Sequence, residues 1–160
     1  MPSDEWFVTF SGIPFGVMSE MLEKGGNNWL GMVYGASARY EWDGGNPVPV
    51  WKMWKDFGIA DAKMKGYWDE DCPIETNNPL VKATAYIKPG KVLVSIGNFD
   101  EADHGIKLKI NWKALKLNPE KAALKALPLK DFQEAATFAP DDEIPVKAKG
   151  GWMLLIEQEK

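Results

Sequence analysis

The spacing of apolar residues changes character near Gly58. Before that point, short apolar runs alternate with stretches of helical period. Trp6-Phe7-Val8-Thr9-Phe10 reads as a buried strand that stops at Ser11-Gly12. Pro14 suits a first helical turn, and Phe15, Met18, Met21 and Leu22 then recur at helical spacing until Gly25-Gly26 ends the run. Gly31-Met32-Val33-Tyr34-Gly35 predicts a second buried strand. Pro47 and Pro49 open a second helix with Val50, Trp54 and Phe57 on one face, and Gly58 closes it. Strand, helix, strand, helix is the order of an α/β architecture. There are too few units to close a barrel or enclose an active cleft.

After Gly58 the period shortens to two. Residues 59–78 are turn-rich and acidic and read as a linker or crossover. Val81, Ala83, Ala85 and Ile87 alternate with Lys82, Thr84 and Tyr86, as in a half-buried strand. Pro89-Gly90 supplies a turn, with glycine free to take the positive φ of type II. Lys91 to Asn98 is apolar on both faces, which predicts a central strand. Ile106, Leu108, Ile110 and Trp112 alternate with Lys107, Lys109 and Asn111 and predict one continuous strand. Ile144 and Val146 form another, and Gly150-Gly151 turns into a last strand from Trp152 to Glu157. Residues 113–130 are ambiguous. Asn118-Pro119-Glu120 is a good helix start, while Leu124 to Leu129 fits a strand after a helical turn, the reading preferred here.

The fold class expected is therefore mainly β: an antiparallel β-sandwich preceded by a partial α/β segment. The divisions are residues 1–57 for the α/β segment, 58–77 for the linker and 78–160 for the sandwich. A truncated α/β segment leaves Trp6, Phe7 and Phe10 in need of cover, each at ~1.5–3 kcal/mol, so self-association is expected.

Composition narrows the function. A net charge of −4 with lysines scattered among acids and apolar residues offers no concentrated positive field for nucleic acid. No apolar run approaches the ~20 residues of a membrane span. The acidic start MPSDEWF shows no signal peptide. The single cysteine, Cys72, and the single histidine, His104, exclude a two-histidine metal site and leave a Cys-His dyad as the sole histidine-based chemistry. The eight tryptophans are uneven, six of them lying by residue 68, and their flat faces suit either a core or a sugar platform.

Three groups of residues carry candidate chemistry. Asp69 and Asp71, with Glu75 beyond Cys72-Pro73, would share a face of an extended chain, their Cα atoms roughly 6–7 Å apart. That suits paired-carboxylate glycoside hydrolysis or a hard-cation site such as one for calcium. The alternative is a solvated turn. Asn28 and Trp29, with Arg39 and Trp42, offer amides, a guanidinium and stacking faces for a sugar, or else a helix end with Trp29 packed inside. Asp4-Glu5 is an adjacent carboxylate pair whose members point to opposite faces of a strand. Trp51, Trp54 and Phe57 look like a platform when taken together, but at helical spacing they read as core.

The stretch from Ser11 to Gly35, then PVPVWKMWKDFGI and MKGYWDEDCPIET, resembles the C-terminal part of large bacterial proteins related to the family-123 glycoside hydrolases. The blocks Trp54 to Ile59, Gly66 to Asp69 and Gly97 to Phe99 carry the resemblance further along the chain. It implies the last units of a (β/α) barrel followed by a small β-sandwich, in a parent that is secreted or periplasmic. It also implies a hexosaminidase-like chemistry in which an adjacent Asp-Glu pair assists the substrate's acetamido oxygen. That pair is expected upstream of these blocks, and Asp4-Glu5 lacks its surroundings, so no catalytic residue is assigned. The resemblance further implies that Asn28, Trp29, Arg39 and Trp42 border the parent's sugar site. The chain is then expected to be a fragment, a degenerate homologue or an incomplete gene product. Its function is expected to be that of a non-catalytic accessory portion, with a carbohydrate-binding module and a small metal-assisted hydrolase as alternatives. Its expected partner is carbohydrate or the missing barrel.

Overall fold

The computed structural model describes residues 8–9, 11–12, 27–36 and 46–158. Among the described residues Val8 and Thr9 are helical, and two helices lead into the β-rich part: α1 (Asn28–Val33) and α2 (Val48–Phe57). Ten strands follow among the described residues: β1 (Lys63–Lys65), β2 (Ile74–Thr76), β3 (Val81–Lys88), β4 (Lys91–Asn98), β5 (His104–Ile106), β6 (Leu108–Ile110), β7 (Ala122–Ala126), β8 (Ala136–Phe138), β9 (Ile144–Val146) and β10 (Gly151–Gln158). A third helix, α3 (Trp112–Leu115), lies between β6 and β7.

The main sheet has six strands in the order β1-β3-β4-β10-β7-β8, with every pairing antiparallel. Two two-stranded sheets, β2-β6 and β5-β9, cover one of its faces. Between the layers lies a core that includes Val81, Ala83, Ala85, Val92, Val94 and Ile96 from the main sheet and Ile74, Ile106, Ile144 and Val146 from the small ones. The protein is thus mainly antiparallel β, with the sandwich expected from the two-residue period. β4 pairs with both β3 and β10, and Lys91 to Asn98 is apolar on both faces because the small sheets cover one and the helices the other. The β3–β4 hairpin closes over Pro89-Gly90 with Gly90 at φ 77°.

The other face of the main sheet is covered by helices. Tyr86, Leu93 and Met153 from the sheet pack with Met32 of α1 and with Val50, Met53, Trp54 and Phe57 of α2. α2 forms where Pro47 and Pro49 predict it, and Gly58 ends it in the left-handed conformation, φ 77°. Val50, Trp54 and Phe57 are core as expected, whereas Trp51 is 40% exposed.

Several expectations need correcting. Gly31 to Gly35 is no strand. Residues 28–33 are helical, and the Asn27 side chain caps the helix by accepting from Leu30 N at 3.2 Å. A five-residue apolar run does not separate a strand from a buried helix by period alone. Thr84 and Tyr86, expected on an open face of β3, are fully buried, because α1 lies over them. The strand expected from Ile106 to Trp112 is broken at Lys107. β5 pairs with β9, β6 pairs with β2, and Trp112 starts α3. Residues 58–77 supply β1 to the main sheet and β2 to a small one, beyond the role of a connection. In the ambiguous stretch the preferred reading holds: a helical turn at Pro119–Lys121 and then β7. The strand expected at Trp6–Phe10 is contradicted where it is described, since Val8 and Thr9 are helical; its other residues and the helix expected at Pro14–Gly26 lie outside the described residues.

Candidate functional site

Trp29 is half-buried at the start of α1. Its ring meets Phe132 edge-on, with centroids 6.0 Å apart. It also leans on β10 so closely that a Cβ added to Gly151 would stand 2.9 Å from its Cε3. Trp29 therefore serves as a packing surface between α1 and the sheet. Asn28 is the first residue of the same helix. Arg39 and Trp42, like Asp4 and Glu5, lie outside the described residues.

The acidic cluster is dispersed among local partners. Asp69 sits in a turn and accepts from Gly66 N at 2.9 Å. Asp71 pairs with Lys65 at 2.6 Å, and Glu75 pairs with Lys109 across the β2–β6 sheet at 3.0 Å. The extended geometry that would have aligned Asp69 with Asp71 is replaced by a turn in which Cys72 N donates to Asp69 O. Among the described residues no three His, Cys, Asp or Glu side chains are grouped to hold a metal ion. Cys72 donates to the carbonyls of Lys65 and Ile74, and burial raises its thiol pKa. His104 instead pairs with Asp100 at 2.7 Å. The two residues have separate partners, so no Cys-His dyad forms.

Three segments that the resemblance singled out do meet. Tyr34, just after α1, stacks on Trp68 with centroids 5.7 Å apart and planes 12° from parallel. Tyr67 and Phe99 approach it edge-on, at 6.1 and 6.2 Å. Lys82 donates to the Tyr67 hydroxyl at 3.1 Å and lies 4.8 Å from the Phe99 ring centre. The Tyr67 and Tyr34 hydroxyls are 3.2 Å apart. Tyr34 is only 2% exposed, so the cluster joins α1 to the sandwich. Sequence reasoning passed over it because its members lie far apart in the chain. The sole signal was the presence of Tyr34, Tyr67, Trp68 and Phe99 within the recognised blocks.

A separate groove of about 380 Å³ runs between α2 and the ends of β4, β7 and β10. Its floor is apolar, with Met53, Leu129 and Leu155, and Lys52, Asp56, Lys91 and Glu157 border it. Asp56 is tied to Lys52 one turn earlier in α2. Phe57 is only 6% exposed, so it offers no open stacking face.

The carboxylates of the sandwich make structural pairs with a definite pH signature. The Asp71, Asp100 and Asp103 carboxyls are held below their ordinary 3.8, mainly by side-chain hydrogen bonds from Lys65, His104 and Lys147 respectively. A depressed folded-state pKa contributes stability that is complete above the unfolded value and is lost as pH falls through the folded one. The Tm is therefore expected to fall as pH drops below the ordinary carboxylate value. Asp103→Asn should lower the Tm near neutrality and flatten that acid limb. Melting curves between about pH 2 and pH 7 check both, and an unchanged limb in the variant would remove Asp103 from the account. The effect is modest, since Asp71 and Asp103 are exposed and screened.

Two family models align with the chain in sequence order. The glycoside hydrolase 123 TIM-barrel domain matches residues 1–41, and the glycoside hydrolase 123 C-terminal domain matches residues 46–157. No curated protein matches the chain. The second match covers the ten described strands except the last residue of β10, and most of the length, so the chain belongs to the glycoside hydrolase 123 family.

Proposed function

We propose that the sandwich is a non-catalytic accessory module of a glycoside-hydrolase-like protein, which supports the residues matched to the barrel. The observation that carries this reading is how its acids are used. Asp69, Asp71, Glu75, Asp100, Asp103 and Asp142 each bind a nearby lysine, histidine or backbone amide. Retaining and inverting glycosidases need two carboxyls facing one bond across a defined gap, free to exchange protons with substrate. Acids spent on turns and surface ion pairs do not supply that. Purified chain is expected to release no nitrophenol from aryl glycosides of N-acetylglucosamine or N-acetylgalactosamine. Turnover above the no-protein rate that survives repurification would overturn the proposal.

Contact with carbohydrate is the second reading, and the exposure of Trp51 on α2 favours it. A tryptophan fluorescence titration with hexosamine-containing glycans tests it, and a Trp51→Ala variant that responds unchanged would exclude that ring. A metal-assisted hydrolase built on Asp69, Asp71 and Glu75 draws no support from their separate pairings. Among the described residues no helix is long and apolar enough to cross a membrane.

A further inference from the structure

The end of α1 poses a problem that the sheet solves. A helix leaves its last carbonyls without intrahelical donors, and burying them unpaired is costly. Met32 and Val33 are both fully buried at this end. The Val33 carbonyl accepts from Thr84 Oγ1 at 2.6 Å, and the Met32 carbonyl, which also accepts from Gly35 N at 3.2 Å, accepts from the Tyr86 hydroxyl at 3.0 Å. Both donors come from β3, two residues apart and hence on one face of the strand. The alternate positions, Ala83 and Ala85, point the other way into the core between the sheets.

The shape of the sheet fits the same segment. A Cβ on Gly97 of β4 would stand 2.9 Å from Val33 Cγ2 and 3.1 Å from Trp29 O. Gly97 pairs with Gly151 of β10, so two facing glycines open a seat in the sheet beneath α1. At the other end of the helix, the Asn27 side chain, while capping α1, also donates to Lys149 O. Lys149 is fixed in turn by its own Nζ on Phe99 O at 2.8 Å. Both ends of the helix and its underside are therefore met by groups of the sandwich.

We infer that this face of the sheet is a dedicated receptor for residues 27–36, so that the end of the barrel-matched segment and the sandwich fold and unfold as one unit. The two family matches meet between residues 41 and 46, yet the physical unit extends back across that border. This deepens the supporting role proposed above and rests on it. It also states how support is exerted: the sandwich sets the position of Asn27 and Asn28 by holding the helix that they begin.

Hydrogen exchange on the full chain tests the inference with two mild substitutions, Tyr86→Phe and Thr84→Val. Each removes one hydroxyl and keeps the packing volume. Exchange at the amides of Gly31, Tyr34, Gly35 and Ala36 is expected to accelerate about tenfold in each variant, and the amides of β3, β4 and β10 should accelerate by the same factor. Acceleration confined to residues 31–36 would overturn the inference, because the segment would then open alone. Acceleration of the strands alone, or none anywhere, would overturn it too. The glycosidase assay is independent of this result, so an active chain would sink the supporting role while leaving the exchange pattern to stand.

Discussion

Replacing Gly151 with alanine is expected to destabilise the protein by about 3 kcal/mol. A Cβ at this position would stand 2.0 Å from the Ile96 carbonyl oxygen, far inside van der Waals contact, and 2.9 Å from the Trp29 ring. The obstacle is backbone of the neighbouring strand and cannot rotate aside. Relief requires β10 to move away from β4 at the start of a ladder that runs from Gly151 to Glu157. It also requires Trp29 to leave its seat, which would loosen α1. Gly90→Ala is the contrasting case. The space around Gly90 is open, and only its φ of 77° resists a side chain, at about 1–2 kcal/mol. Urea denaturation of the two variants separates the causes. If Gly151→Ala costs no more than Gly90→Ala, the close approach of the strands has been overstated.

Asn98→Ala should rank next, with a loss of about 2–4 kcal/mol. Asn98 ends β4 and its side chain is fully buried. Its amide nitrogen donates to Ala102 O at 2.8 Å and Lys147 O at 3.0 Å, while its oxygen accepts from Asp100 N at 2.9 Å. One side chain thus pins the loop after β4 to the loop before β10. Those two loops also hold the Asp103–Lys147 and Glu101–Lys149 pairs. Truncation takes this partner from the Asp100 amide and the Ala102 carbonyl and leaves Lys147 O with Gly150 N alone, at 2.8 Å. Asn98→Asp should be at least as damaging, since a carboxylate oxygen would replace the donor and face carbonyl oxygens. A shift of the urea midpoint in either variant too small to distinguish from wild type would show that the loops hold each other without Asn98.

Much of the β-rich part was legible because it follows local rules. The β3–β4 hairpin needs only alternation and a Pro-Gly turn. α2 needs only prolines at its start, a glycine at its end and apolar residues on one face. Where two structures share a local signature, the reading failed. The run from Gly31 to Gly35 suits a strand or a buried helix, and the Asn27 cap decided for the helix. The alternation from Ile106 to Trp112 is that of one strand, but its two halves answer to different partners, β9 and β2. The acidic cluster misled for a related reason. Spacing says which carboxylates face the same way in an extended chain, and a turn at Asp69 removes that premise.

Sequence alone thus determined the antiparallel character of the C-terminal part, the apolar faces of its central strands and the absence of a two-histidine metal site. These depend on period and composition, which each stretch of chain carries within itself. Tertiary structure alone decided that Thr84 and Tyr86 are interior donors, that Gly97 and Gly151 open a seat for α1, and that Tyr34, Tyr67, Trp68 and Phe99 form one cluster. Each of these requires residues distant in the chain to lie within a few ångströms of one another. No local pattern encodes that nearness, because it arises only when the sheet and the helix that covers it bury each other.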